Sequence, residues 1–153
     1  MSEFISDNIK IIVFQLKDEE YGIPVQQVRS IEKFQQITRV PRTAPYIKGV
    51  INLRGVVTPI IDLRNRFGFE ELSTDESTRI IIVSKDDKEV GFIVDAANDV
   101  IDIDSDLIEP APEVVGAVHE KYIQGVAKLE KRLIVMIDLD EILEMEREPH
   151  MLM

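Results

Sequence analysis

An eighteen-residue stretch occurs twice in this chain, in register and without a gap. Y-I-K-G-V-I-N-L-R-G-V-V-T-P-I-I-D-L, from Tyr46 to Leu63, returns as Y-I-Q-G-V-A-K-L-E-K-R-L-I-V-M-I-D-L from Tyr122 to Leu139. Tyr46, Ile47, Gly49, Val50, Leu53, Ile61, Asp62 and Leu63 meet identical residues at a constant offset of 76. A second pair precedes each copy. Ile11 to Val25 lies over Ile80 to Val94 at an offset of 69, with Ile11, Ile12, Asp18, Glu20, Gly22 and Val25 matched. Two blocks repeated in the same order point to one β-rich unit used twice. The approximate units are 9–70 and 79–147, within a single domain spanning 1–153. Units of about seventy residues are marginal alone and are expected to share an interface.

The repeated stretch has the composition of a hairpin. Ile47–Leu53 and Val56–Ile61 are rich in Val and Ile, and Arg54-Gly55 supplies the residue tolerant of positive φ that a tight turn needs. Arg54 is thereby carried at an exposed tip, and Asn52 is placed to bond its own backbone at the turn. In the second copy Glu130 takes the place of Arg54, which makes Arg54 the point where the symmetry breaks. Such a break is what a docking site on a duplicated scaffold would show.

Charge narrows the function further. A formal net charge of −11 disfavours nucleic acid, whose binding rests on phosphate neutralisation by Lys and Arg, and an anionic membrane surface as well. The absence of cysteine excludes disulfides, thiolate nucleophiles and Cys-ligated metals. The first residues lack the basic start and apolar core of a signal peptide, and no apolar run reaches membrane-spanning length, so the chain reads as cytoplasmic.

Along the chain, Asn8–Leu16 is apolar on both faces and reads as a strand buried between layers. Tyr21–Val25 reads as an edge strand, because Pro24 has no N–H to give a ladder. Gln26–Phe34 fits either one helical turn or a bent strand. Asp62 and Asp138 are placed to cap short helices at Leu63–Phe67 and Leu139–Arg147. Phe69–Thr78 reads as a polar linker, residues 79–84 and 89–94 as a hairpin, and Ser105–Val115, with Pro110 and Pro112, as a crossing loop.

Chemistry-bearing patterns are sparse. Asp102, Asp104, Asp106 and Glu113 occupy positions 1, 3, 5 and 12 of a calcium loop, but Leu107 stands where that loop needs glycine and Pro110 falls at position 9. A solvated acidic strand end is the better reading, with a calcium-binding protein as a remote alternative. Two histidines, His119 and His150, are too few for a metal cluster or proton relay. No phosphate-cradling loop or nucleophile elbow is present. Neither an enzyme nor a cofactor is expected.

With these residues in view, the chain resembles the CheW-like family of bacterial chemotaxis coupling proteins over essentially its whole length. D-E-E-Y-G-I from Asp18, the run from Tyr46 to Arg64, E-V-G-F-I-V-D from Glu89 and P-A-P-E from Pro110 carry the resemblance. It implies an all-β fold with short helices: two five-stranded antiparallel β-barrels, Src-homology-3-like, packed on each other. It also implies a scaffold without catalysis, joining the cytoplasmic tip of methyl-accepting chemoreceptors to the regulatory domain of the histidine kinase CheA within membrane-associated arrays. Service to a kinase pathway outside chemotaxis is the near alternative. Arg54, Gly49 and Val100 match family positions tied to receptor coupling. Ile12, Val25 and Val28 match a kinase-facing apolar patch, there expected to flank an edge strand. The chain departs from many relatives at Ser30, where they carry glutamate, and Glu32 follows two residues on.

Overall fold

The computed structural model describes residues 8–41, 47–68, 74–110, 114–115, 118–119 and 122–144. In chain order the strands are β1 (Asn8–Leu16), β2 (Glu19–Pro24), β3 (Val28–Lys33), β4 (Ile47–Leu53), β5 (Val56–Asp62), β6 (Arg79–Lys85), β7 (Lys88–Val94), β8 (Ala96–Asp104), β9 (Ile108–Glu109), β10 (Val114–Val115), β11 (Val118–His119), β12 (Ile123–Lys128) and β13 (Leu133–Ile137). Helix α1 (Leu63–Arg66) follows β5, and α2 (Leu139–Glu144) follows β13.

The fold is all-β with short helices, in two principal sheets. Sheet A has six strands in the order β8-β1-β2-β13-β12-β9, and sheet B has five in the order β3-β6-β7-β5-β4. Each sheet contains one parallel pair, β2 with β13 and β7 with β5, where the resemblance implied antiparallel sets of five. The sixth strand is β9, a two-residue segment inside the stretch read as a crossing loop; β10 and β11 pair only with each other beyond it.

Both sheets mix the two sequence units. The β1–β2 hairpin of the first unit joins β12–β13 of the second, and the β6–β7 hairpin of the second joins β4–β5 of the first. The registers are equivalent: Ile47 faces Ile61 as Ile123 faces Ile137, with a bulge before Gly49 in one and Gly125 in the other. Ile60 faces Gly91 across the parallel pair as Met136 faces Gly22. Residues related by offsets of 69 and 76 therefore occupy matching places in different sheets.

This arrangement explains why β1 is apolar on both faces. Ile12, Phe14 and Leu16 point into a core shared by the two sheets, together with Ile81, Val83, Phe92, Ile137 and the helix residues Leu63, Leu139, Ile142 and Leu143. The alternate residues Ile11 and Val13 enter a separate core of sheet A, as Ile80 and Ile82 do in sheet B. Each buried aliphatic side chain is worth about 1.5–3 kcal/mol against exposure. Phe14, Tyr21, Phe67 and Tyr122 run through the shared core with centroid spacings of 5.9, 5.9 and 5.6 Å.

The expected edge position of Tyr21–Val25 is corrected by the topology. Strand β2 lies between β1 and β13. Pairing with β13 ends at Gly22, so Pro24 lies past that ladder and is paired only with Ile11 of β1. The open edges of sheet B are β3 and β4. The segment after β3 turns back to β4, where Thr38 and Val50 exchange backbone hydrogen bonds of 2.9 and 2.8 Å. Residues 25–27 form a single 3₁₀ turn and Val28 begins the strand, so both alternatives for Gln26–Phe34 are realised in succession.

Both helices carry the expected caps. The Arg64 N–H donates to Asp62 Oδ1 at 3.0 Å, and the Glu141 N–H to Asp138 Oδ1 at 3.2 Å. Arg64 also clasps the sheets together. From its nearly buried position its Nε donates to Asp95 Oδ1 at 2.6 Å and its Nη2 pairs with Oδ2. Asp95, between β7 and β8, accepts the Lys17 N–H at 2.6 Å as well.

Candidate docking site

The β4–β5 turn is a two-residue hairpin with Leu53 facing Val56. Both central residues are left-handed, Arg54 at φ 52° and Gly55 at φ 87°, as a type I′ turn demands. The Gly55 N–H donates to Asn52 Oδ1 at 2.8 Å, the turn contact expected of Asn52. Arg54 is held outward, its side chain 69% exposed, with Nη1 3.6 Å from Glu32 Oε2 on β3. Glu32 is thus the acidic neighbour of Arg54 inside the chain. The Ser30 Oγ is buried without a hydrogen-bond partner.

Arg54 borders a cavity of about 330 Å³ lined by Val28, Arg29, Leu53, Val56 and Glu89. Val56 and Glu89 also line a larger groove of about 630 Å³, which continues past Val57, Pro59, Lys85 and Val90 to Leu143 of α2. Val56 and Val57 are 53% and 68% exposed. The result is a mixed trough in which exposed Val56 and Val57 stand among Arg29, Arg54, Lys85 and Glu89, opening where β3 and the β4–β5 turn approach each other. Arg29 Nε lies 3.5 Å from Glu89 Oε2 on the opposite wall. Lys85 is bonded to Asp140 of α2.

The remaining expected positions fall in several places. Val28 shares the cavity with Arg54, while Val25 is half-buried beside it, and both pack against the shared core. Ile12 is 6% exposed and belongs to that core, so it has almost no surface to offer a partner. Val100 is 54% exposed on β8, an outer strand of sheet A, directly opposite Ile12. Gly49 is buried, at φ 150°, and a Cβ there would stand 2.1 Å from the Thr38 carbonyl oxygen. It serves the close approach of Thr38 to β4 and contacts nothing outside directly.

Of the calcium-like residues, Asp102 pairs with Lys10 at 3.6 Å, and Asp104 accepts the Asp106 N–H at 2.9 Å to cap a 3₁₀ turn. These two carboxylates have structural partners, and Glu113 lies outside the described residues. Among the described residues no three acidic or histidine side chains converge as a metal would require.

Sequence reasoning missed Arg29, Val56, Val57 and Glu89. A signal was available in the repeat, since Val56 is matched by Arg132. On sheet A, Arg132 fills the equivalent place and donates to Glu20 at 3.0 and 2.8 Å and to Asp99 at 3.2 and 3.2 Å, while Asn98 also donates to Glu20 at 3.2 Å. Hydrogen bonds from Arg132 hold the Glu20 carboxyl below its ordinary pKa. Burial raises the Tyr21 hydroxyl nearby.

A family model described as the CheW-like domain matches residues 10–147. The chain belongs to the CheW-like domain family. It is 50% identical over 146 residues to the chemotaxis protein CheW of Bacillus subtilis, covering 95% of this chain and 94% of that one. The CheW of Klebsiella aerogenes is 38% identical over 137 residues, with 90% and 82% covered. Among solved structures, the scaffolding protein TtCheW from Thermoanaerobacter tengcongensis superposes with a TM-score of 0.81 at 39% identity, covering 89% of this chain and 88% of that one. The two mixed sheets are therefore a CheW scaffold fold, and its setting is chemotaxis.

Proposed function

We propose that this chain is a chemotaxis adaptor that ties the cytoplasmic tip of methyl-accepting chemoreceptors to the regulatory domain of CheA, so that receptor state controls kinase autophosphorylation. It transforms no substrate and works in the cytoplasm, recruited to receptor arrays. The observation that carries this reading is the trough under Arg54, where exposed valines stand among loosely paired charges. Val56 and Val57 offer area for the apolar face of a receptor helix, and Arg54 sets direction at the rim. The kinase contact uses the other side of β3, an open edge with half-buried Val25 and Val28 beside it. An open edge can extend a partner's sheet. Relatives named as chemotaxis and scaffolding proteins support the same reading.

The test is a pull-down in which the full chain is offered a receptor-tip fragment and a CheA regulatory domain. Capture of both in one complex is expected, and capture of neither removes the proposal. Within that complex, Arg54→Ala should leave folding intact and reduce receptor-dependent kinase activation. Normal activation by the folded variant would take Arg54 out of the site.

A further inference from the structure

Two arginines, not one, face the small cavity at the head of the trough. Arg29 reaches it from β3 and Arg54 from the β4–β5 turn, above a floor of Val28, Leu53 and Val56. Each is paired with a carboxylate of the same chain, Arg29 with Glu89 at 3.5 Å and Arg54 with Glu32 at 3.6 Å. Both separations exceed the 2.7–2.9 Å of a charge-assisted hydrogen bond, roughly the range that such pairs prefer. Both guanidinium groups are mostly exposed. These are loose pairs, with side chains able to exchange one carboxylate for another.

Arg132 shows the contrasting case, where the equivalent surface of sheet A is closed by bidentate bonds of 3.0 and 2.8 Å to Glu20. Charge complementarity points the same way. The chain carries −11 overall and repels an acidic partner over most of its surface, whereas the lining of the trough sets Arg29, Arg54, Lys85 and Lys88 against only Asp87 and Glu89.

We propose that Arg29 is the second cation of the docking trough, and that Arg29 and Arg54 together receive carboxylates from an acidic helical face of the receptor tip. Glu89 and Glu32 are the internal partners which the receptor carboxylates displace. This inference rests on the adaptor reading above. The internal carboxylates act as competitors: they hold the arginines over the trough in the free protein and set a threshold that a neutral helix cannot pass.

The experiment is a calorimetric titration of the full chain with a receptor-tip fragment at low and high salt, with melting curves to establish that each variant is folded. Arg29→Gln and Arg54→Gln should each weaken binding by about three- to tenfold at low salt, and Glu89→Gln and Glu32→Gln should tighten it by about two- to fivefold, all differences shrinking at high salt. A tip fragment with its acidic side chains changed to amides should lose its sensitivity to Arg29→Gln. The inference is overturned if folded Arg29→Gln binds the tip like the parent, if Glu89→Gln weakens binding, or if Arg29→Gln affects only the CheA regulatory domain. If the unaltered chain does not bind the tip at all, the adaptor reading falls with it.

Discussion

The two hairpins β4–β5 and β12–β13 share registers and a bulge, yet one ends in an open trough and the other in a closed surface. At the first tip, Arg54 and Gly55 are both left-handed and Val56 leaves the turn exposed. At the second, Glu130 and Lys131 are not among the residues of positive φ, and Arg132, standing where Val56 does, binds Glu20 and Asp99. The residues of the turn thus separate a surface that satisfies its own charges from one that leaves apolar area and loosely held cations facing outward. The two hairpins repeat one frame, and the side chains at the turns decide which tip stays open.

The most damaging way to probe this comparison is at the matched bulges. Gly49→Ala places a Cβ 2.1 Å from backbone oxygen at φ 150°. The combined backbone strain and overpacking should cost about 3 kcal/mol or more, lowering Tm by roughly 6–12 °C in a calorimetric melt. Gly125→Ala brings its Cβ to 2.6 Å from Ile108 Cγ2 and 2.8 Å from the Glu109 carbonyl oxygen, and should cost less because Gly125 lacks the positive φ of Gly49 and its nearest backbone oxygen is farther away. An equal loss at both sites would mean that the Thr38 contact does not distinguish them.

The next effect lies at the clasp. Arg64→Leu strands Asp95 in a partly buried position, at a cost of about 3 kcal/mol. Its positional match in the second unit, Asp140, is mostly exposed, and Asp140→Leu should change stability by no more than about 1 kcal/mol. Denaturant midpoints compare the two directly.

Closing or opening the sheet A surface is milder. Arg132→Val should cost about 1 kcal/mol at neutral pH, since the pairs are bidentate but lie near the surface. The pH dependence has a definite sign. The folded-state pKa of Glu20 is lowered, so its contribution is present above the unfolded value of 4.5 and is lost as pH falls through the folded value. Melts of parent and variant should therefore diverge at pH 7 and converge in acid; a gap that persists at low pH would assign the effect to packing. Smallest is Arg54→Ala, expected to shift stability by less than about 0.5 kcal/mol. A larger loss would make Arg54 a structural residue like Arg132.

Much of this was readable from local pattern. The Arg54-Gly55 turn, the Asn52 contact, the Asp62 and Asp138 caps and the two-faced apolar character of β1 all follow from interactions within a few residues. The position of β2 did not, because Pro24 signals a missing N–H without telling which neighbour it would have served. Ile12 shows the same gap for the site. Its apolar side chain suits a core and an interface equally, and only the packing of sheet on sheet assigns it to the core. Arg29 and Glu89 stand 60 residues apart along the chain, so no spacing could have announced their meeting.

Residue order alone settled the β4–β5 hairpin and the recurrence of one β pattern, since period-two alternation and turn chemistry act over short distances. The exchange of hairpins between sheets, the parallel seams β2–β13 and β5–β7, and the trough under Arg54 were settled by tertiary packing. The reason is physical: a strand's own pattern dictates which face it buries, whereas its neighbour is chosen by the joint burial of surfaces remote in sequence.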